Sequence, residues 1–130
     1  MIVAEIYTQA DGKIVGFSID GHSNTAPRGF DIYCAGVSTV SQAAYICLAK
    51  HLKRNFEGDF ASGKLSLILD DPPDELTEAV FQTMLIGIRE IEKIAPQVLK
   101  LIVKSEISCV GSPINQNMPS ITLGGGENLV

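Results

Sequence analysis

The chain has 130 residues, 45% of them hydrophobic, enough for one domain with an ordinary core. Its net charge of −5 argues against nucleic acid as a direct ligand, because phosphate contacts need clustered Lys and Arg, and it suits a basic protein partner. Three cysteines make no disulfide framework, no basic-then-apolar leader opens the chain, and no apolar run approaches the ~20 residues of a bilayer span. The expectation is a reduced, cytoplasmic protein with no membrane partner.

Residues 1–7 are rich in β-branched and aromatic side chains. A turn through Asp11-Gly12 follows, then residues 14–19, where Val15, Phe17 and Ile19 alternate with Gly16 and Ser18. This pattern predicts a hairpin. Residues 21–29 are polar and bounded by glycines. From Ala35 to about Lys53 the spacing predicts a helix, with Val37, Val40, Ala44, Cys47 and Leu48 on one face and with Gly36 and Ala43 small enough for close packing on a sheet. Residues 57–63 read as a loop. Leu65, Leu67 and Leu69 alternate with Lys64 and Ser66 in a half-buried strand. Asp71-Pro72-Pro73-Asp74-Glu75 signals a helix start, and the stripe Leu76, Val80, Met84, Ile88, Ile91, Ala95 continues to the stop at Pro96. Residues 98–106 alternate again. The fold class read from this order, β-β-α-β-α-β, is α+β: one mixed or antiparallel four-stranded sheet with two helices. Residues 1–107 form the domain. Residues 108–130, with Pro113, Pro119 and three consecutive glycines, read as a flexible tail.

The chemistry gathers at residues 21–41. His22 and Cys34 stand twelve residues apart, with Cys34 at the predicted helix start. Unpaired N–H groups at a helix start favour a thiolate, and a loop imidazole can take up and return its proton. The backbone N–H groups of Cys34 and Ala35 are natural oxyanion donors. The plain alternative is a small core cysteine and a solvated histidine. The loop argues for chemistry, being too polar and too rich in Gly and Pro to be core. Asp31 is most simply a helix cap; its sharper role would be to orient His22. Ser38 sits one turn past Cys34, bonded either to its own helix backbone or near the sulfur. Gly21, Ser23, Asn24, Arg28 and Gly29 are the residues of a loop that would clasp a peptide, with Gly21 and Gly29 as hinges. A zinc site from His22, Cys34, Cys47 and His51 lacks any CxxC pair and puts Cys47 on an apolar stripe, so no metal and no cofactor are expected. A non-catalytic binding module and a thiol redox sensor remain open on these residues alone; a sensor would need a resolving thiol, and none is close in sequence.

The run GHSN…GFDIYCAGVS resembles the signature of the ribosomal-processing cysteine proteases, the Prp family: Gly-His-Ala, a short loop, then Gly-x-Asp-Ile-Val-Cys-Ala-Ala-Val-Ser. Ser23, Tyr33 and Gly36 depart from it without removing a catalytic group, and Tyr33 alters the pocket beside Cys34. The resemblance spans about residues 1–107. It implies a cytoplasmic cysteine endopeptidase that cuts a short N-terminal extension from large-subunit ribosomal protein twenty-seven during ribosome assembly. It also implies a homodimer with a mobile loop over the site, His22 as general base and Cys34 as nucleophile. The implied substrate has aromatic residues before the cut and a basic segment after it.

Overall fold

A computed structural model describes residues 1–21, 31–61, 63–105 and 107. The elements are β1 (Ile2–Thr8), β2 (Ile14–Asp20), α1 (Asp31–Ile46), β3 (Phe56–Ala61), β4 (Lys64–Leu69), α2 (Glu75–Ile94) and β5 (Leu99–Lys104). The five strands form one mixed sheet in the order β3-β4-β2-β1-β5, antiparallel except for the β1–β5 pair. The class is α+β with two helices, as the patterning predicts, but the sheet has five strands rather than four. The added strand is β3, whose Glu57-Gly58-Asp59 reads locally as a turn. It holds as a strand because Phe56, Gly58 and Phe60 pair with Leu69, Leu67 and Leu65 and share their face.

The hairpin forms where expected. Gly12 adopts φ +91° in its turn, and the Lys13 N–H donates to the Asp11 carboxylate at 2.9 Å. A parallel partner needs a crossover, which α2 supplies between β4 and β5. The Leu101 N–H on β5 donates to the Glu92 carboxylate of α2 at 2.8 Å.

The register places Ile6, Phe17 and Leu67 in one row beneath the helices. Phe17 meets Phe81 of α2 edge-on at 6.1 Å between centroids. Tyr45 of α1 meets Phe56 and Phe60 of β3 in the same manner. Both helices therefore cover one sheet face. On the other face Tyr7, Ile14, Ser66 and Ile68 are also buried. The Tyr7 hydroxyl donates to Glu5 at 2.7 Å, and burial, with the Glu5 carboxylate beside it, raises its pKa. The apolar surface that stays open lies largely on the helices, at Leu76, Ile86 and Ile94 of α2 and Ile46 of α1.

The first helix begins four residues earlier than predicted, at Asp31, so Asp31 is its first helical residue rather than a residue ahead of it. Its α-helical hydrogen bonding ends at Ile46 and continues as a π-helical turn, Cys47–His51, closed by the Leu52 N–H on the Cys47 carbonyl. Together they make 21 residues that contain an 18-residue window of mean hydropathy 1.4, long and apolar enough by those measures to cross a membrane. That departs from the expectation drawn from apolar runs. The burial of Val37, Ala44, Tyr45 and Leu48 in the common core fits the inner helix of a folded domain, which passes the same test. Gly36 and Ala43 serve helix–helix contact, not helix–sheet contact. A Cβ on Gly36 would meet the Ile91 terminal methyl at 3.1 Å, and Ala43 lines a groove between the helices.

Helix α2 starts on a capping box. The Asp74 carboxylate accepts from the Leu76 and Thr77 N–H groups, and the Thr77 hydroxyl accepts from the Asp74 N–H. Arg54 donates to the same carboxylate. The proposed tail, 108–130, lies outside the described residues. Asp74→Ala is expected to lower stability by about 1 kcal/mol at neutral pH. The Arg54 guanidinium, followed by the helix N–H donors, holds this carboxyl below its ordinary 3.8. Its contribution is therefore full above that value and lost as pH falls through the depressed folded value. Urea melts of both proteins should show a gap at neutral pH that narrows as the pH falls below 3.8 and through the depressed folded value; a gap unchanged in acid would count against the cap.

Candidate functional site

Cys34 lies in the first turn of α1, 1% exposed, as part of the buried core. The next residue, Ala35, is exposed, as is Asp31. With the helix starting at Asp31, the N–H groups of Cys34 and Ala35 belong to its fourth and fifth residues, where bonding four residues back already engages them, so the free oxyanion donors expected there from the sequence are not found. Cys34 is thus in the first turn of the helix, three residues inside its start rather than just ahead of it. His22, Ser23, Asn24, Arg28 and Gly29 lie outside the described residues.

The approach to His22 is described as far as Gly21. This residue follows β2 with φ +128°, a backbone state that side chains disfavour, and its N–H donates to the Gly63 carbonyl at 3.0 Å. A Cβ there would stand 2.6 Å from the Met1 carbonyl oxygen and 2.9 Å from the Ile2 Cα. Gly21 is thus fixed between the start of β1 and the β3–β4 hairpin. The observed geometry makes it an anchor for the chain entering His22, and gives no room to the hinge read from its composition.

Gly21 and Ser38 meet in one groove of about 210 Å³. Ser38 is one helical turn past Cys34, so the groove runs along α1 beyond the turn that carries the sulfur, although Cys34 itself does not line it. Ser38, Gln42 and the buried Ser41 form its helix wall; Ile19, Leu65 and Phe60 form the sheet wall. The Ser41 hydroxyl is occupied, donating to the Val37 carbonyl at 2.7 Å. The sheet wall escapes sequence reasoning because its three residues come from three strands. The signal that was present is the period-2 spacing of Phe56, Gly58 and Phe60.

Cys47 and His51 do not join Cys34. Cys47 is half-buried and lines the helix–helix groove, His51 is exposed, and Cys34 is buried. Among the described residues no group of three or more His, Cys, Asp or Glu could hold a metal ion.

Comparison with known proteins bears on the whole domain. The family described as cysteine protease Prp matches residues 1–100. A ribosomal processing cysteine protease Prp of Staphylococcus aureus is 30% identical over 96 residues, covering 72% of this chain and 90% of the relative. Two crystal structures of an essential ribosomal processing protease Prp from S. aureus share the fold at 24% identity, each spanning 80% of this chain and 100% of theirs. The one with a substrate peptide superimposes with a TM-score of 0.73, the one with a covalently linked product peptide with 0.71.

Gly21→Ala is expected to destabilise the fold by about 1–3 kcal/mol, from the left-handed backbone state and the contact with Met1 and Ile2. Urea unfolding would measure it. A stability equal to wild type would show that the first residues of β1 step aside.

Proposed function

Because the chain belongs to the cysteine protease Prp family, we propose that it is a cytoplasmic cysteine endopeptidase that removes a short N-terminal extension from large-subunit ribosomal protein twenty-seven during ribosome assembly. The observation that carries this reading is the position of Cys34 in the first turn of α1, one helical turn before Ser38, which lines a groove shared with Gly21.

In the proposed reaction His22 takes the Cys34 thiol proton, and the sulfur bonds to the scissile carbonyl carbon. The carbonyl oxygen becomes an oxyanion at the N-terminal end of α1, where the helix dipole favours negative charge. The His22 imidazolium gives its proton to the leaving amine as the C–N bond breaks, which leaves a thioester on Cys34. Water then attacks the thioester with His22 as base, and thiol and carboxylic acid are regenerated. No cofactor enters. Cys34 is 1% exposed, so peptide binding has to uncover the sulfur before attack. Ser23, Asn24, Arg28 and Gly29, with Gly21, are assigned to substrate contact. Ser38 supports the site, and Asp31, in the first turn of α1, either complements the positive end of the helix dipole or orients His22. The net charge of −5 suits a basic ribosomal precursor.

A homodimer is part of this proposal. The second sheet face is already buried at Tyr7 and Ile68, so the apolar side chains left for a partner copy are those open on the helices, Leu76, Ile86 and Ile94 among them. Sedimentation should give a dimer at micromolar concentration, and a stable monomer there would refute it.

Incubation with the ribosomal precursor, read by intact mass, tests the activity. Cys34→Ala and His22→Ala should each abolish cleavage, with Cys34→Ala still binding the precursor. Alkylation of the buried Cys34 in mild acid should be slower in His22→Ala than in the native enzyme, since in both the sulfur must first be uncovered. Asp31→Ala should reduce rather than abolish cleavage if its role is to complement the helix dipole, worth about 0.3–1 kcal/mol; a loss matching His22→Ala would make it a third catalytic member. Cleavage at the native site by Cys34→Ala would sink the reading, and binding without turnover by the wild type would favour a non-catalytic module.

A further inference from the structure

We infer that Phe60 sets part of the substrate specificity, its ring receiving an apolar side chain three or four residues from the scissile bond. The inference rests on the endopeptidase reading and extends it to the groove wall.

Eight large hydrophobic residues are exposed among those described, and only Phe60, at 45%, lines the groove that begins at Gly21 and Ser38. Its surroundings are built. Phe60 pairs with Leu65, and Leu65 with Ile19, so the three side chains form one row across β3, β4 and β2. Leu65 and Ile19 are 6% and 8% exposed and make a floor, while Phe60 rises at its far end. The Phe60 ring is held before any ligand arrives. The Tyr45 ring meets it edge-on at 5.1 Å and 89°, and Tyr45 is braced in turn by Phe56 at 5.2 Å. Such a propped, half-open aromatic has already lost much of its freedom and is suited to serve as an anchor.

Opposite this row, α1 presents the exposed polar residues Ser38 and Gln42. An apolar row facing a polar helix edge matches an extended peptide, with side chain to the sheet and amides to the helix. Position along that peptide follows from the helix. Gln42 stands eight residues past Cys34, an axial rise of roughly 12 Å. An extended chain advances about 3.3 Å per residue, so the peptide residue level with Gln42 and Phe60 is the third or fourth from the carbonyl at Cys34. The groove volume of about 210 Å³ suits one or two side chains rather than a whole small-molecule ligand.

The test uses the full chain and variants of the precursor of large-subunit ribosomal protein twenty-seven carrying Leu, Ala or Asp in turn at each of the four positions on either side of the cut, with kcat/KM read by intact mass. The wild type should prefer Leu over Asp by about tenfold or more at one position, the third or fourth from the bond. In Phe60→Ala that preference should shrink to roughly threefold or less, with preferences at other positions unchanged. Phe60→Lys, a substitution that an edge strand tolerates, should turn the preference at the same position toward Asp. Circular dichroism and thermal melts of both variants establish that they are folded. A wild type with no preference at those positions, or a preference that persists in folded Phe60→Ala and Phe60→Lys, overturns the role of Phe60 and leaves the protease reading intact. A wild type that cleaves none of the precursors overturns both.

Discussion

The seating of Tyr45 over Gly58 fixes where the first helix lies. A Cβ on Gly58 would stand 2.8 Å from the Tyr45 hydroxyl and 2.9 Å from the Ser66 carbonyl oxygen, so the phenol reaches β3 only because no side chain is there. Phe56 and Phe60 flank the ring, and Tyr45 is 2% exposed. Its hydroxyl has no hydrogen-bond partner among the described residues, and burial, with Asp59 nearby, pushes it up to about 12. That arrangement fastens the later half of α1 to the β3–β4 hairpin. The same hairpin holds Gly21 through the Gly63 carbonyl. One pair of strands therefore positions both the helix that carries Cys34 and the chain that leads to His22.

Helix–helix packing sets the other coordinate. Gly36 brings α1 close to Ile91, and Gly87 of α2 leaves the space that Val40 occupies, at 3.5 Å from where its Cβ would be. Small residues on both helices let them approach directly after the turn that contains Cys34. A thiol nucleophile gains from such rigidity, because the N–H groups that would receive an oxyanion must keep their aim while bonds form. The buried polar groups nearby fit this view. Ser41 donates within its own helix and leaves its neighbours Ser38 and Gln42 to face the groove.

Much of this could be read without coordinates, and the limits are physical. The hairpin was legible because Asp11-Gly12 supplies a local turn, and α2 because its cap and its Pro96 stop are local signals. The placement of Cys34 at a helix start was legible for the same reason, although the helix begins earlier, at Asp31. Strand β3 was not. Glu57, Gly58 and Asp59 have turn composition, and what makes them a strand is the long-range pairing with β4 and the Tyr45 ring above Gly58. The groove was hidden for a related reason. Ile19, Leu65 and Phe60 become neighbours only through strand register, which no spacing along the chain announces. The anchored state of Gly21 depends on Met1 and Ile2 lying beside it, again a contact across the sequence.

The bond from the Leu101 N–H to Glu92 has a consequence for the behaviour of the molecule among its own kind. Strand β5 is the last of its sheet, and an outermost strand with free backbone donors is a template on which another chain can be laid down. Glu92 occupies one of those donors with a side chain delivered from the end of α2, and Lys100 and Lys104 place charge along the same strand. A foreign strand drawing alongside would have to displace that carboxylate. The helix that built this border of the sheet thus also guards one of its donors, raising the cost of ribbon growth there.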